Sequence, residues 1–194
     1  MQITKLKTNK NNSLVGVYLI KPEIFSDNRG FFYESWNADK FNEKIGVKKF
    51  CQDNHSHSLR GVLRGIHYQL NPFAQGKLIR CTKGVIYDVA IDLRKDSSTY
   101  KEWASIELNE KTKYLLWIPE GFGHGFLTLS RVAEVQYKVT KKWDKESEKS
   151  ILWNDPDLNI YWPINKLDSD QPLISEKDSS GLTIKHAEKL DFVF

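Results

Sequence analysis

Cysteine is almost missing from this chain: of 194 residues only Cys51 and Cys81 are cysteine. They form no CxxC or Cys/His spacing and are too few for a disulfide framework, so redox chemistry is excluded and both read as buried small hydrophobes. Long apolar runs are lacking too. No window approaches the run of about 18 apolar residues that a membrane-crossing helix needs, so no membrane partner is expected. The opening Met1-Gln-Ile-Thr-Lys-Leu-Lys7 has neither an apolar h-region nor a small-residue cleavage site, and the expectation is a cytoplasmic protein. Concentrated charge is absent as well, because 29 basic and 25 acidic residues are spread along the chain for a net charge of +4. Without an RNP motif, a Cys/His finger or a dense basic helix, nucleic acid is not an expected partner. The modest positive balance suits steering of a small anion such as a nucleotide diphosphate. Internal repeats, low-complexity tracts and Pro/Gly/Ser linkers are missing, so one domain over residues 1–194 is expected.

What is present reads mostly as β structure. Short apolar or alternating runs recur between turn residues: Gly16 to Ile20, Gly30 to Ser35, Gly61 to Gln69, Lys77 to Cys81, Val85 to Leu93, Trp103 to Leu108, Tyr114 to Ile118, Gly125 to Leu129 and Ala133 to Thr140. Many short strands at this spacing predict an all-β sandwich or barrel. Asn37 to Ile45 places apolar residues at helical intervals behind an Asn cap and is the best helix candidate. From Asp144 onward the chain is polar and carries Pro156, Pro163 and Pro172, which predicts loops and one or two short helices wrapped on a barrel core of about residues 14–142.

The densest chemical signal is Gly61-Val-Leu-Arg-Gly-Ile-His67-Tyr-Gln69, followed by Lys77 and Gly84. Metal-binding cupins, a jelly-roll family, read Gly, five residues, His-x-His, Glu, six residues, Gly. The frame survives here and the ligands do not, since Gln69 replaces the second His and Lys77 stands in the register of the Glu. Pro119-Glu-Gly121-Phe-Gly-His124 matches the second cupin motif. An ammonium where a metal carboxylate belongs argues against a bound cation and offers instead a group to stabilise an anionic intermediate. His55 and His57 form an HxH, but no Glu follows at cupin spacing, so surface or supporting positions are expected for both.

Seven strings in register narrow the resemblance: Asp27-Asn-Arg29-Gly-Phe-Phe, Gln52-Asp-Asn54-His-Ser, Val62-Leu-Arg64-Gly-Ile-His67-Tyr-Gln69, Gln75-Gly-Lys77-Leu, Asp88-Val-Ala-Ile-Asp92-Leu-Arg94, Leu116-Trp-Ile-Pro-Glu-Gly-Phe-Gly-His124-Gly-Phe and Ser175-Glu-Lys177-Asp178. Together they closely resemble the dTDP-4-dehydrorhamnose 3,5-epimerases. The resemblance implies a cupin-type jelly-roll barrel of antiparallel strands with a few short peripheral helices. It also implies inversion of C3 and C5 of a dTDP-4-keto-6-deoxyhexose in dTDP-rhamnose formation, with no cofactor and no metal.

A 4-keto group acidifies both neighbouring C–H bonds, so each inversion needs a base on one face, an acid on the other and a group to hold the enolate oxygen. The resemblance maps the base onto His67, its orienting carboxylate onto Asp178, the enolate-stabilising ammonium onto Lys77 and the acid onto Tyr137. Taken alone, His67 reads as an ordinary packed histidine, Tyr137 as strand core and Lys77 and Asp178 as solvated charges; only their register raises them. The family's substrate positions fall on Arg29, Glu34, Gln52, Asp53, Asn54, Arg64, His124, Trp143, Glu148 and Lys177. Arg29 and Arg64 carry guanidinium forks suited to a diphosphate. Trp143 departs from the family, where many relatives carry a thymine-stacking Tyr and a Pro at position 145. A homodimer is also implied, with an N-terminal strand crossing to the partner and Arg29 serving the neighbour's site. Three competing readings stand beside this one: an epimerase of C3 or C5 alone, a metal-dependent cupin, and a non-catalytic sugar-binding module.

Overall fold

A computed structural model describes residues 1–194, with thirteen strands, three α-helices and one 3₁₀ turn. Two antiparallel sheets face each other as a jelly roll. The first has six strands in the order β1 (Gln2–Lys7), β2 (Ser13–Lys21), β10 (Leu115–Ile118), β7 (Lys77–Lys83), β12 (Val132–Val139) and β5 (Gln52–Leu59). The second has five, in the order β13 (Glu148–Ser150), β6 (Leu63–Gln69), β11 (Phe122–Thr128), β8 (Val85–Asp92) and β9 (Trp103–Asn109). A separate hairpin, β3 (Ile24–Asp27) with β4 (Gly30–Tyr33), pairs only with itself.

The side-chain period of two decides where each strand residue goes. Leu14, Leu19, Ile79, Ile86, Ala90, Leu116, Phe126 and Val135 turn inward and form the apolar core between the sheets. The opposite face of the five-stranded sheet is equally apolar, with Leu63, Ile66, Tyr68, Val89, Ile91 and Leu127. It is covered by the C-terminal segment through Ile151, Leu158, Ile160, Trp162, Ile184 and Ala187. Strands buried on both faces read as continuous apolar runs, as Val85 to Leu93 does. That segment carries two short helices, α2 (Glu176–Ser179) and α3 (Ile184–Lys189), which start on Ser175 and Thr183 caps.

The outer face of the six-stranded sheet is covered by α1 (Ala38–Ile45), whose Asn37 cap accepts from the Lys40 backbone N–H. Its one buried residue, Phe41, packs edge-on against Trp117 at a centroid distance of 5.3 Å. Phe41→Ala would cost about 3–5 kcal/mol, the usual loss for a truncated buried aromatic.

Four strands were not legible as apolar runs: β1, β3, β5 and β13. Two of them, β1 and β13, extend the sheets beyond the expected core of residues 14–142. β1 pairs antiparallel with β2 at the edge of the six-stranded sheet. Cys51 is a correction: it is exposed at the residue before β5, on the sheet edge, where only Val139 reaches it. Cys81 is buried as expected, and burial pushes its thiol up to about 12.

Candidate active site

Where the two sheets part at one end of the barrel, the inward face turns polar. His67 and Gln69 come from β6, Lys77 opens β7, Tyr137 lies on β12, and Gln52 and Asn54 lie on β5. With Trp143 and Glu148 they line a cleft of about 300 Å³. Larger clefts exist elsewhere, including one lined by Met1, Phe25, Phe32 and Trp36 and one lined by Asp53, His55, Arg80 and Lys138, but neither contains His67 or Lys77.

β6 approaches β11 so closely that a Cβ on Gly65 would sit 2.6 Å from the Cα of Gly125. Gly65 also has a φ of 116°, so glycine is required twice over at this point. The approach brings His67 into register with His124. His67 Nε2 lies 2.5 Å from Asp178 Oδ1, and the other carboxylate oxygen accepts from the Gly65 N–H at 3.2 Å. Burial pushes Asp178 up, but its hydrogen bond and charge interaction with His67, with those from Gly65 and Ser175, hold it below the usual carboxylate range. An ionised Asp178 only accepts, so Nε2 carries the proton and Nδ1 keeps its lone pair.

The Lys77 ammonium is buried and donates to the His67 carbonyl at 3.2 Å. Burial lowers it to about 8, against the pull of Glu148 and Asp88. It is therefore a charged donor at neutral pH in a dry setting, where electrostatic stabilisation is strongest. Burial pushes the Tyr137 phenol above its ordinary range, with Arg64 pulling the other way, so the phenol keeps its proton to give.

Around this centre the polar residues are tied to one another. Glu148 accepts from Lys177 at 2.5 Å and from the Trp143 indole N–H at 3.1 Å, which offset the upward push of burial on its carboxyl. Gln52 donates to Asn54 at 2.8 Å and accepts from the Trp143 backbone N–H at 3.2 Å. Arg64 donates to Ser58 and to the His57 carbonyl.

Other residues implicated by sequence lie apart from the cleft. Asp53 is on the opposite face of β5, paired with Lys138. Arg29 sits at the tip of the β3–β4 hairpin, bonded to Asp27, and Glu34 follows the hairpin, bonded to Lys40 and Asn37. His124 is buried with its Nε2 held by both oxygens of Asp88 at 3.0 Å. His55 and His57 are exposed and face Glu134. Sequence reasoning assigned no role to Asp88, although a carboxylate inside the apolar run of β8 was a signal that a buried partner exists.

No group of three His, Cys, Asp or Glu side chains is arranged to hold a metal ion. In the positions of two cupin ligands, the Gln69 amide is committed to backbone groups and Lys77 is cationic. The donor set does not fit a cupin metal. No helix is long and apolar enough to cross a membrane.

Fold and cleft together define a cupin-type jelly roll whose interior carries a histidine, a carboxylate, a lysine and a tyrosine where relatives of the fold carry a metal. Comparison with known proteins narrows this. The family model for dTDP-4-dehydrorhamnose 3,5-epimerase matches residues 11–186, and the chain belongs to that family. It is 50% identical over 166 residues to the dTDP-4-dehydrorhamnose 3,5-epimerase of Shigella flexneri, covering 85% of this chain and 89% of the relative. It is 36% identical over 173 residues to the dTDP-4-dehydrorhamnose 3-epimerase of Streptomyces niveus, covering 89% and 81%. Among solved structures it matches the dTDP-6-deoxy-D-glucose-3,5-epimerase of Legionella pneumophila in complex with dTDP-4-keto-L-rhamnose. That match has a TM-score of 0.88 and 38% identity, and covers 99% of this chain and 97% of the other.

Proposed function

We propose that this chain inverts C3 and C5 of dTDP-4-dehydro-6-deoxy-D-glucose to give dTDP-4-dehydro-L-rhamnose, in dTDP-L-rhamnose biosynthesis in the cytoplasm. The observation that carries the reading is the 2.5 Å contact of His67 with Asp178 beside the buried Lys77 ammonium. Nδ1 of His67 takes the proton from the carbon next to the ketone. The C–H electron pair moves into the ring and onto the 4-oxygen, where Lys77 stabilises the enolate. Collapse of the enolate draws a proton from Tyr137 onto the opposite face; His67 then releases its proton to solvent and the Tyr137 phenolate takes one up from solvent, so no proton is consumed and both groups are reset. The same groups act at the second carbon, and no cofactor is required.

Nucleotide recognition is assigned to the mouth. Trp143 offers its exposed indole to the base, Arg64 its guanidinium to the diphosphate, and Gln52, Asn54, Glu148 and Lys177 border the sugar. Arg29 and Glu34 lie on or beside a hairpin whose Phe25, Phe31 and Phe32 are more than half exposed. Such a ribbon fits against a second copy of the chain, so a homodimer with Arg29 serving the partner's site is part of the reading. A fully active monomer in solution would contradict it.

A second reading is inversion at C3 alone, favoured by the 36% identity with the Streptomyces niveus 3-epimerase. The test is a coupled assay with purified chain, the 4-keto substrate and an NADPH-dependent reductase that accepts only the doubly inverted sugar. Oxidation of NADPH supports the double inversion. A C3-inverted product that the reductase refuses supports the second reading.

A further inference from the structure

Gln69 occupies the register of a metal-ligating histidine, lines the cleft and is only 3% exposed, yet both its amide N–H groups and its oxygen are engaged by backbone groups. Its Nε2 donates to the Phe73 carbonyl at 2.7 Å and to the Lys142 carbonyl at 3.1 Å. Its Oε1 accepts from the Asp144 N–H at 2.9 Å. The last two partners are the peptide groups on either side of Trp143. We infer that Gln69 is the positioning residue of the Trp143 platform and so governs how tightly the enzyme holds its nucleotide. The inference rests on the reading above that Trp143 faces the base.

Trp143 needs such support. The residue is 56% exposed, a large apolar face held out in solvent, and its own bonds to Gln52 and Glu148 hold its two nitrogen atoms but not the Lys142 carbonyl or the Asp144 N–H that flank it in the loop between β12 and β13. Gln69 clamps both of those groups from inside the barrel, and its bond to Phe73 ties the loop between β6 and β7 to the same point. A stacking face ordered in advance spares the nucleotide the cost of ordering it on binding. The amide does this with no charge, so it does not compete with the Lys77 ammonium for the developing enolate. Ligand loss at this register has therefore left a strut rather than a gap.

Two variants separate the idea from simple loss of fold. Gln69→Met keeps the volume and removes all three bonds; Gln69→Glu keeps the acceptor for Asp144 and turns a carboxylate against two carbonyls. Titration with dTDP, steady-state kinetics and thermal melts are run on wild type, both variants, Trp143→Ala and the Gln69→Met/Trp143→Ala double variant. A folded Gln69 variant is expected to bind dTDP about five- to tenfold more weakly, with KM raised by a similar factor and kcat held within about twofold. The double variant is expected to bind no more weakly than Trp143→Ala alone, because the strut has nothing left to hold. Wild-type affinity in folded variants, a fall confined to kcat, additive losses in the double variant, or failure of both single variants to fold would each overturn the inference. If Trp143→Ala binds dTDP as wild type does, it is the base-facing reading of Trp143 that fails, which is a distinct result.

Discussion

Two histidine–aspartate pairs stand side by side in this barrel, with His67 and His124 in direct register on adjacent strands, and they differ in access and in the origin of their carboxylate. The His67 side chain is 27% exposed at the cleft and is partnered by Asp178 from the C-terminal cap. The His124 side chain is 10% exposed, partnered by Asp88 from the neighbouring strand of the same sheet. Burial lowers His124, with Asp88 opposing and Lys77 and His67 reinforcing, so its ring is neutral and donates Nε2–H to the carboxylate. In the proposed mechanism the same two side chains thus serve as an accessible base in one place and a buried strut in the other. Access to the cleft, rather than residue type, separates the two functions.

The sharpest way to break this comparison is to remove each histidine. His67→Asn should lower kcat by about 10⁴-fold or more while the melting temperature barely moves, since only the accessible pair transfers protons. Retained turnover measured on folded protein would end the role of His67. Asp178→Asn should keep the fold and reduce kcat by about 10⁴-fold through the wrong tautomer of His67, as in other histidine–aspartate catalysts. His124→Leu should instead destabilise the chain by about 1–3 kcal/mol, because the buried Asp88 carboxyl loses its hydrogen-bond donor. Denaturant unfolding checks this, and an unchanged midpoint would show that Asp88 finds other partners.

A smaller effect links the cleft to stability through Lys77. Its folded value near 8 lies below the ordinary 10.5, so the folded state binds fewer protons than the unfolded chain between those pH values. Below pH 8 both states are protonated and the burial penalty, about 3 kcal/mol, is fully present; it fades as pH rises towards 10.5. Lys77→Met should therefore be inactive yet more stable than wild type at pH 7, with the advantage gone above pH 10.5, as melts across pH would reveal. Wild-type activity should fall as pH rises past about 8, when the donor loses its charge.

Legibility of the chain followed the same division between apolar and polar surroundings. Runs such as Val85 to Leu93 and Ala133 to Thr140 were readable because both or alternate faces are buried among hydrophobes. Strand β5, Gln-Asp-Asn-His-Ser-His-Ser-Leu, carried no apolar alternation because its inner face turns Gln52 and Asn54 to a wet cleft. His67, Lys77, Tyr137 and the Asp178 contact were reached through the register of motifs, since each alone reads as a commonplace residue. Gln69 and Asp88 escaped because their function is to hold other groups, and hydrogen bonds across 75 or 36 residues of sequence leave no local pattern.

The central claim is that one accessible acid–base set works on both carbons beside the ketone. Proton NMR of dTDP-4-keto-6-deoxyglucose incubated in D2O with purified wild-type chain, and no added metal, tests it most directly. The account predicts loss of both the C3 and the C5 proton signals, and their retention in the presence of His67→Asn. Wild-type protein that binds dTDP but leaves both signals intact would contradict it.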